Sequence, residues 1–75
     1  MYFAKNELIE LNNSERYLIL DSAFLDDTSY YKVEKLQNNE HTNDILYISA
    51  TNNEGKLYIN RSLTPDIIEK LKEIC

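Results

Sequence analysis

The stretch RYLILDSAFLDDTSYYKVEKL, Arg16 to Leu36, decides the fold. It holds two runs rich in apolar, β-branched and aromatic residues, separated by Asp26-Asp27-Thr28-Ser29. That pattern predicts two strands joined by a tight turn, although the turn carries no glycine. Successive strand residues point to opposite faces. One face of the first strand then carries Leu18, Leu20, Ser22 and Phe24, beside Tyr31 and Val33 of the second. The other carries Tyr17, Ile19, Asp21 and Ala23 against Tyr30, Lys32, Glu34 and Leu36. A two-residue turn at Asp26-Asp27 sets Asp21 opposite Lys32 and Leu20 opposite Val33. A turn one residue later sets Asp21 against Glu34. Cross-strand pairs are worth ~0.2–1 kcal/mol and like charges repel, so the first register is favoured. A bulge near Ser22 or Ala23 would help a small sheet to bend.

Upstream, Glu7 to Leu11 reads as a short strand, followed by a turn at Asn12-Asn13-Ser14-Glu15. That turn pairs Leu11 with Arg16 and Ile9 with Leu18. Downstream, Gln37 to Asp44 is wholly polar and reads as a solvated loop. Ile45 to Ala50 is a strand by its β-branching and alternation. Asn52-Asn53-Glu54-Gly55 holds the chain's one glycine, and a four-residue loop would place it in the left-handed conformation. Lys56 to Asn60 returns as a strand, with Ala50 opposite Leu57 and Ile48 opposite Ile59. One face of this pair is aliphatic, and Tyr47 and Tyr58 point the other way.

The clearest helix runs from Pro65 to about Ile74. Thr64 is its N-cap, Pro65 suits the first helical position, and Asp66 suits the positive end of the dipole. Ile67, Ile68, Leu71 and Ile74 form one apolar stripe at helical spacing. Ten residues are too few for an isolated helix, so the stripe must be buried against the sheet. The aliphatic face is its natural receiver. The expected architecture is α+β, a five-stranded antiparallel meander, curled or closed like a small SH3-like barrel, with one C-terminal helix. A more open α+β sheet is the alternative.

Seventy-five residues make one domain, and 43% hydrophobic residues suffice for a core. Thirteen acids against eight bases leave a net charge of −5, which argues against phosphate-backbone binding and against anionic membranes. No apolar run reaches the length of a membrane span, and Lys5 interrupts any secretory leader at Met1 to Ala4. The chain is therefore expected in the cytoplasm. Cys75, the one cysteine, ends the chain and is read as incidental.

Catalysis finds no footing. His41 lies in a polar stretch without rigid partners for general-base or metal chemistry. Asp26-Asp27 is explained by turn chemistry. One glycine cannot build a phosphate loop. No cofactor, metal or enzymatic activity is expected. Tyrosine is more informative. Tyr17, Tyr30, Tyr47 and Tyr58 fall on the face assigned away from the helix, and tyrosine favours interfaces because it joins a large contact area to a polar tip. These four are the candidate surface for a protein partner or a second copy. The competing reading folds them into the barrel. Stacking of nucleic-acid bases is disfavoured, because acids outnumber Arg16, Lys32, Lys56 and Arg61.

The order YLILDSAFLDDTSYYKVEKL, polar gap, ILYISA, short loop, GKLYI and LTPDIIEKLKEI resembles small β-rich proteins of AT-rich Gram-positive bacteria and their phages and mobile elements. The abundance of Asn, Ile, Lys and Tyr accords with AT-rich codons. The resemblance implies a compact β-rich domain and carries no catalytic residue across. The expected function is a non-enzymatic interaction module. The alternative is an acidic, phage-type inhibitor that mimics nucleic acid and occupies a basic host protein. Its surface would be Asp21, Asp26, Asp27, Glu34, Glu40 and Asp44. Clustering of these on one side would favour it, and dispersal would count against it.

Overall fold

The computed structural model describes residues 2–11 and 14–75. Five strands form one antiparallel sheet in chain order: β1 (Leu8–Glu10), β2 (Arg16–Leu25), β3 (Thr28–Gln37), β4 (Glu40–Asn53) and β5 (Lys56–Asn60). The sheet curls into a half-barrel, and α1 (Pro65–Ile74) follows it. The expected meander and terminal helix are both present.

Three hairpin tips set the registers. Asp26 and Asp27 have φ of 49° and 62°, Asn38 and Asn39 of 52° and 64°, and Glu54 and Gly55 of 55° and 82°. Positive φ at both central residues is what two-residue hairpins matched to strand twist require. Asn and Asp adopt that region more readily than other side chains, which is how two of the tips form without glycine. The Asp26-Asp27 turn and the Asp21–Lys32 pair are as expected.

Four expectations about the strands need correction. Gln37 to Asp44 is mostly hairpin, because Asn38-Asn39 turns the chain and β4 begins at Glu40. The β2 bulge lies at Leu20, between the pairs Ile19–Val33 and Asp21–Lys32, instead of near Ser22 or Ala23. Its extra residue moves Tyr17 and Ile19 onto the face of Val33 and Tyr31, and Leu18 onto the face of Glu34. In β1, Ile9 pairs with Tyr17 and Glu10 with Arg16, one residue away from the expected register; Asn12 and Asn13 of the connecting turn lie outside the described residues. In β4–β5, the two-residue tip pairs Ala50 with Ile59 and Asn52 with Leu57. That shift is two residues, so each side chain keeps its expected face.

The core lies on one face of the sheet. Ile9, Tyr17, Ile19, Tyr31, Val33, Ile48 and Ala50 are buried in a single cluster, with Phe3, Leu11, Leu46 and Ile59 packed against it. The N-terminal segment covers this face. Phe3 meets the Tyr31 ring edge-on at 5.1 Å, and the Tyr31 hydroxyl accepts hydrogen bonds from the Tyr2 and Phe3 amides at 2.8 and 3.2 Å.

The helix takes the opposite face, which overturns the expectation that its stripe covers Ile48 and Ile59. Leu71 is fully buried but stands outside the aliphatic cluster. The Cys75 thiol, pushed up by burial, also feels Asp21 and Lys32, a cross-strand pair on the face of Tyr30 and Tyr47. The physical reason is curvature. A curled aliphatic face closes over its own large residues and the N-terminal segment, and the helix is left with the other side. The helix itself forms as expected, with Thr64 Oγ1 accepting from the Ile67 amide at 3.4 Å.

Candidate functional site

A meander that stops short of closure has two edge strands, here β1 and β5. A groove of roughly 720 Å³ separates them. Glu10, Leu11 and Glu15 line one side, and Leu57, Tyr58, Ile59 and Arg61 line the other.

Backbone parity gives each edge its character. The Leu11 N–H donates to Glu15 O at 2.8 Å, and the Ile19 N–H donates to Glu7 O at 2.9 Å. Residues 7, 9 and 11 therefore turn their backbone groups toward β2, and Leu8 and Glu10 turn theirs outward. In the β4–β5 hairpin the residues flanking the tip, Asn53 and Lys56, form the hydrogen-bonded pair. Lys56, Tyr58 and Asn60 thus bond to β4, while Leu57 and Ile59 turn their N–H and C=O groups toward the groove. Side chains alternate as well. Leu11, Leu57 and Ile59 lie toward the aliphatic cluster; Glu10 and Tyr58 lie toward the helix-bearing face.

A polar knot closes one end. The Glu15 carboxylate takes Arg61 on one oxygen and Lys35, at 3.1 Å, on the other. Arg61 also donates to the Tyr17 hydroxyl at 3.0 Å. Hydrogen bonds from Lys35 and then Arg61 hold the Glu15 carboxyl below the usual glutamate range. With Glu15 and Arg61 offsetting each other, Glu10 is the remaining acid of the groove.

The four tyrosines separate. Tyr17 is 1% exposed in the aliphatic cluster, because the Leu20 bulge moved it there. Tyr30 is buried on the helix side and Tyr47 is half-buried. Tyr58 stays 53% exposed at the groove. The acidic residues also scatter. Asp26 and Asp27 sit at the β2–β3 tip, Glu40 at the opposite end beside the β3–β4 tip, and Asp21 and Asp44 stand opposite Lys32 and Lys35. Glu34 is 5% exposed and spoken for. Its carboxylate accepts from His41 Nδ1 at 2.9 Å and from the Thr42 and Asn43 amides at 3.0 and 2.9 Å. His41 is exposed, with Glu34 as its partner. Among the described residues, no group of three or more His, Cys, Asp or Glu side chains converges as metal ligands, and no helix is long and apolar enough to cross a membrane.

Glu10 and Glu15 were not singled out by the sequence, and Leu57 and Arg61 entered only as a register partner and as a surface cation. The available signal was positional. Glu15 and Arg61 flank strand ends, and the outer residues of a five-strand meander must be its edges.

Compared with known proteins, the chain matches no family model, no curated protein and no solved structure.

Proposed function

We propose that this chain is a non-enzymatic protein-interaction module whose docking surface is the open seam between β1 and β5. The observation that carries the reading is the exposure of apolar side chains on a strand at the edge of the sheet. Leu57 and Tyr58 are 41% and 53% exposed in the middle of a five-residue edge strand. Proteins normally blunt such edges with charge, proline, bulges or a covering element. Here the only charge on β5 is Lys56, at its first position. An aromatic side chain with an apolar neighbour beside a groove is the composition that interfaces favour. The SH3-like description of the barrel and a cytoplasmic location belong to this proposal; the five-strand curl supports the first of these.

The acidic-mimic alternative draws no support from the distribution of its six residues, which lie at both ends of the sheet, with Asp21 and Asp44 opposite lysines and Glu34 bonded to His41.

The test compares affinity capture from host lysate by the parent chain, by Tyr58→Ser at the seam, and by Ile45→Ser, which alters an exposed apolar residue on β4 away from the seam. Loss of the retained proteins with Tyr58→Ser, and their retention with Ile45→Ser, is the expected result. Unchanged capture by a folded Tyr58→Ser protein would remove the seam from the account.

A further inference from the structure

Building on that reading, we infer that the occupant of the seam is an extended segment of a partner protein, added as a sixth strand antiparallel to both β1 and β5. The segment alternates apolar residues with a lysine or arginine.

Topology supplies the first argument. Each strand of the meander is antiparallel to the next, so the first and fifth run in the same direction. A single strand laid between them in the opposite sense is antiparallel to both and converts the half-barrel into a closed sheet. Closure abolishes free edges altogether. An even number of strands would have left two opposed edges, which no single strand could join in antiparallel fashion on both sides.

The backbone supplies the second. Leu57 and Ile59 offer outward N–H and C=O groups on β5, and Glu10 does the same on β1. These are the groups that an added strand engages, and main-chain bonds of this kind supply affinity while alternate side chains supply specificity.

Side chains and charge define the occupant. Positions of the added strand that face the cluster meet Leu11, Leu57 and Ile59 and call for apolar residues. Positions that face the other way lie between Glu10 and the Tyr58 ring. A carboxylate on one side and an aromatic face on the other together favour a cation, by ion pairing and by cation–π attraction. A net charge of −5 favours a basic segment again and disfavours a second copy of this chain.

The test selects a display library of random nine-residue peptides against the full-length protein, then follows amide exchange with the best peptide bound. The expected peptides alternate apolar and Lys or Arg positions. On binding, exchange should slow at the Leu57, Ile59 and Glu10 amides. Leu57→Pro removes one outward N–H and leaves the β4 ladder intact, as proline at an edge position does. It should weaken the peptide roughly tenfold, the cost of one hydrogen bond at its upper range. Glu10→Lys should shift selection from basic to acidic peptides. Peptides that bind without slowing those three amides, a selection with no enriched sequence, or dimerisation of the protein through β5 would each overturn the inference. If no peptide is selected while Tyr58→Ser still loses its captured proteins, strand addition fails and the seam remains a docking surface. If Tyr58→Ser loses nothing, the seam itself fails.

Discussion

A carboxylate with 5% exposure survives in this sheet because N–H groups surround it. Glu34 lies opposite a stretch of β4 where two residues, Thr42 and Asn43, are inserted between the partners of Lys35 and Leu36. Their amides, freed from the ladder, point at the Glu34 oxygens, and His41 adds a third donor. The bulge needs the acid as much as the acid needs the bulge, since an unpaired buried group on either side would be costly. The hydrogen bond from His41, followed by that from the Asn43 amide, holds the Glu34 carboxyl below its ordinary range. A carboxyl lowered by folding contributes stability that is fully present above its unfolded value, about 4.3, and is lost as pH falls through the lower native value. Glu15, lowered by Lys35 and Arg61, works in the same window. Glu34→Gln should therefore be less stable than the parent at neutral pH and lose less stability on acidification. Urea unfolding followed from neutral pH into acid checks this; parallel pH profiles for the two proteins would contradict it.

At the scale of elements, the helix has one fully buried residue, Leu71. Ile67 and Ile68 are half-buried, and Ile74 is 54% exposed. Leu71→Ala should cost about 2–5 kcal/mol, the range for a buried leucine whose site cannot collapse. Ile74→Ala should stay within about 0.5 kcal/mol of the parent, as exposed substitutions do. Chemical denaturation of both variants measures the contrast, and equal losses would mean that the stripe is buried along its whole length. The helix ends were legible because caps act locally: Thr64, Pro65 and Asp66 each meet a backbone need within one turn. The Asp26-Asp27 tip was legible for the same reason, reinforced by the Asp21–Lys32 charge pair. The face that receives the helix was not. It depends on how far the sheet curls and on a bulge at Leu20, and nothing within a few residues of Leu20 specifies either. The polar run from Gln37 to Asp44 misled because it holds a glycine-free tip at Asn38-Asn39, and because the residues after it are ordered by Glu34, a residue on the preceding strand.

Across the whole molecule, two faces are covered by different means and one seam is left open. The N-terminal segment and the curl close the aliphatic side; α1 closes part of the other; the Glu15–Arg61 pair ties the end of β5 to the start of β2 without joining β1 to β5 in a ladder. Four tyrosines that the expected registers place on one face end in three environments, and one inserted residue in β2 is what separates Tyr17 from the others. The tyrosine surface expected from alternation reduces to Tyr58, and its neighbours at the groove come from the opposite edge of the sheet, more than forty positions away in the chain. Alternation along one strand carries no information about which edges meet. Amide hydrogen exchange on the free protein tests the open seam most directly. Protection should alternate along β5, slow at Tyr58 and fast at Leu57 and Ile59, with Glu10 fast on the facing edge. Uniformly slow exchange at Leu57, Tyr58, Ile59 and Glu10 would show that the seam is already closed and would contradict the account.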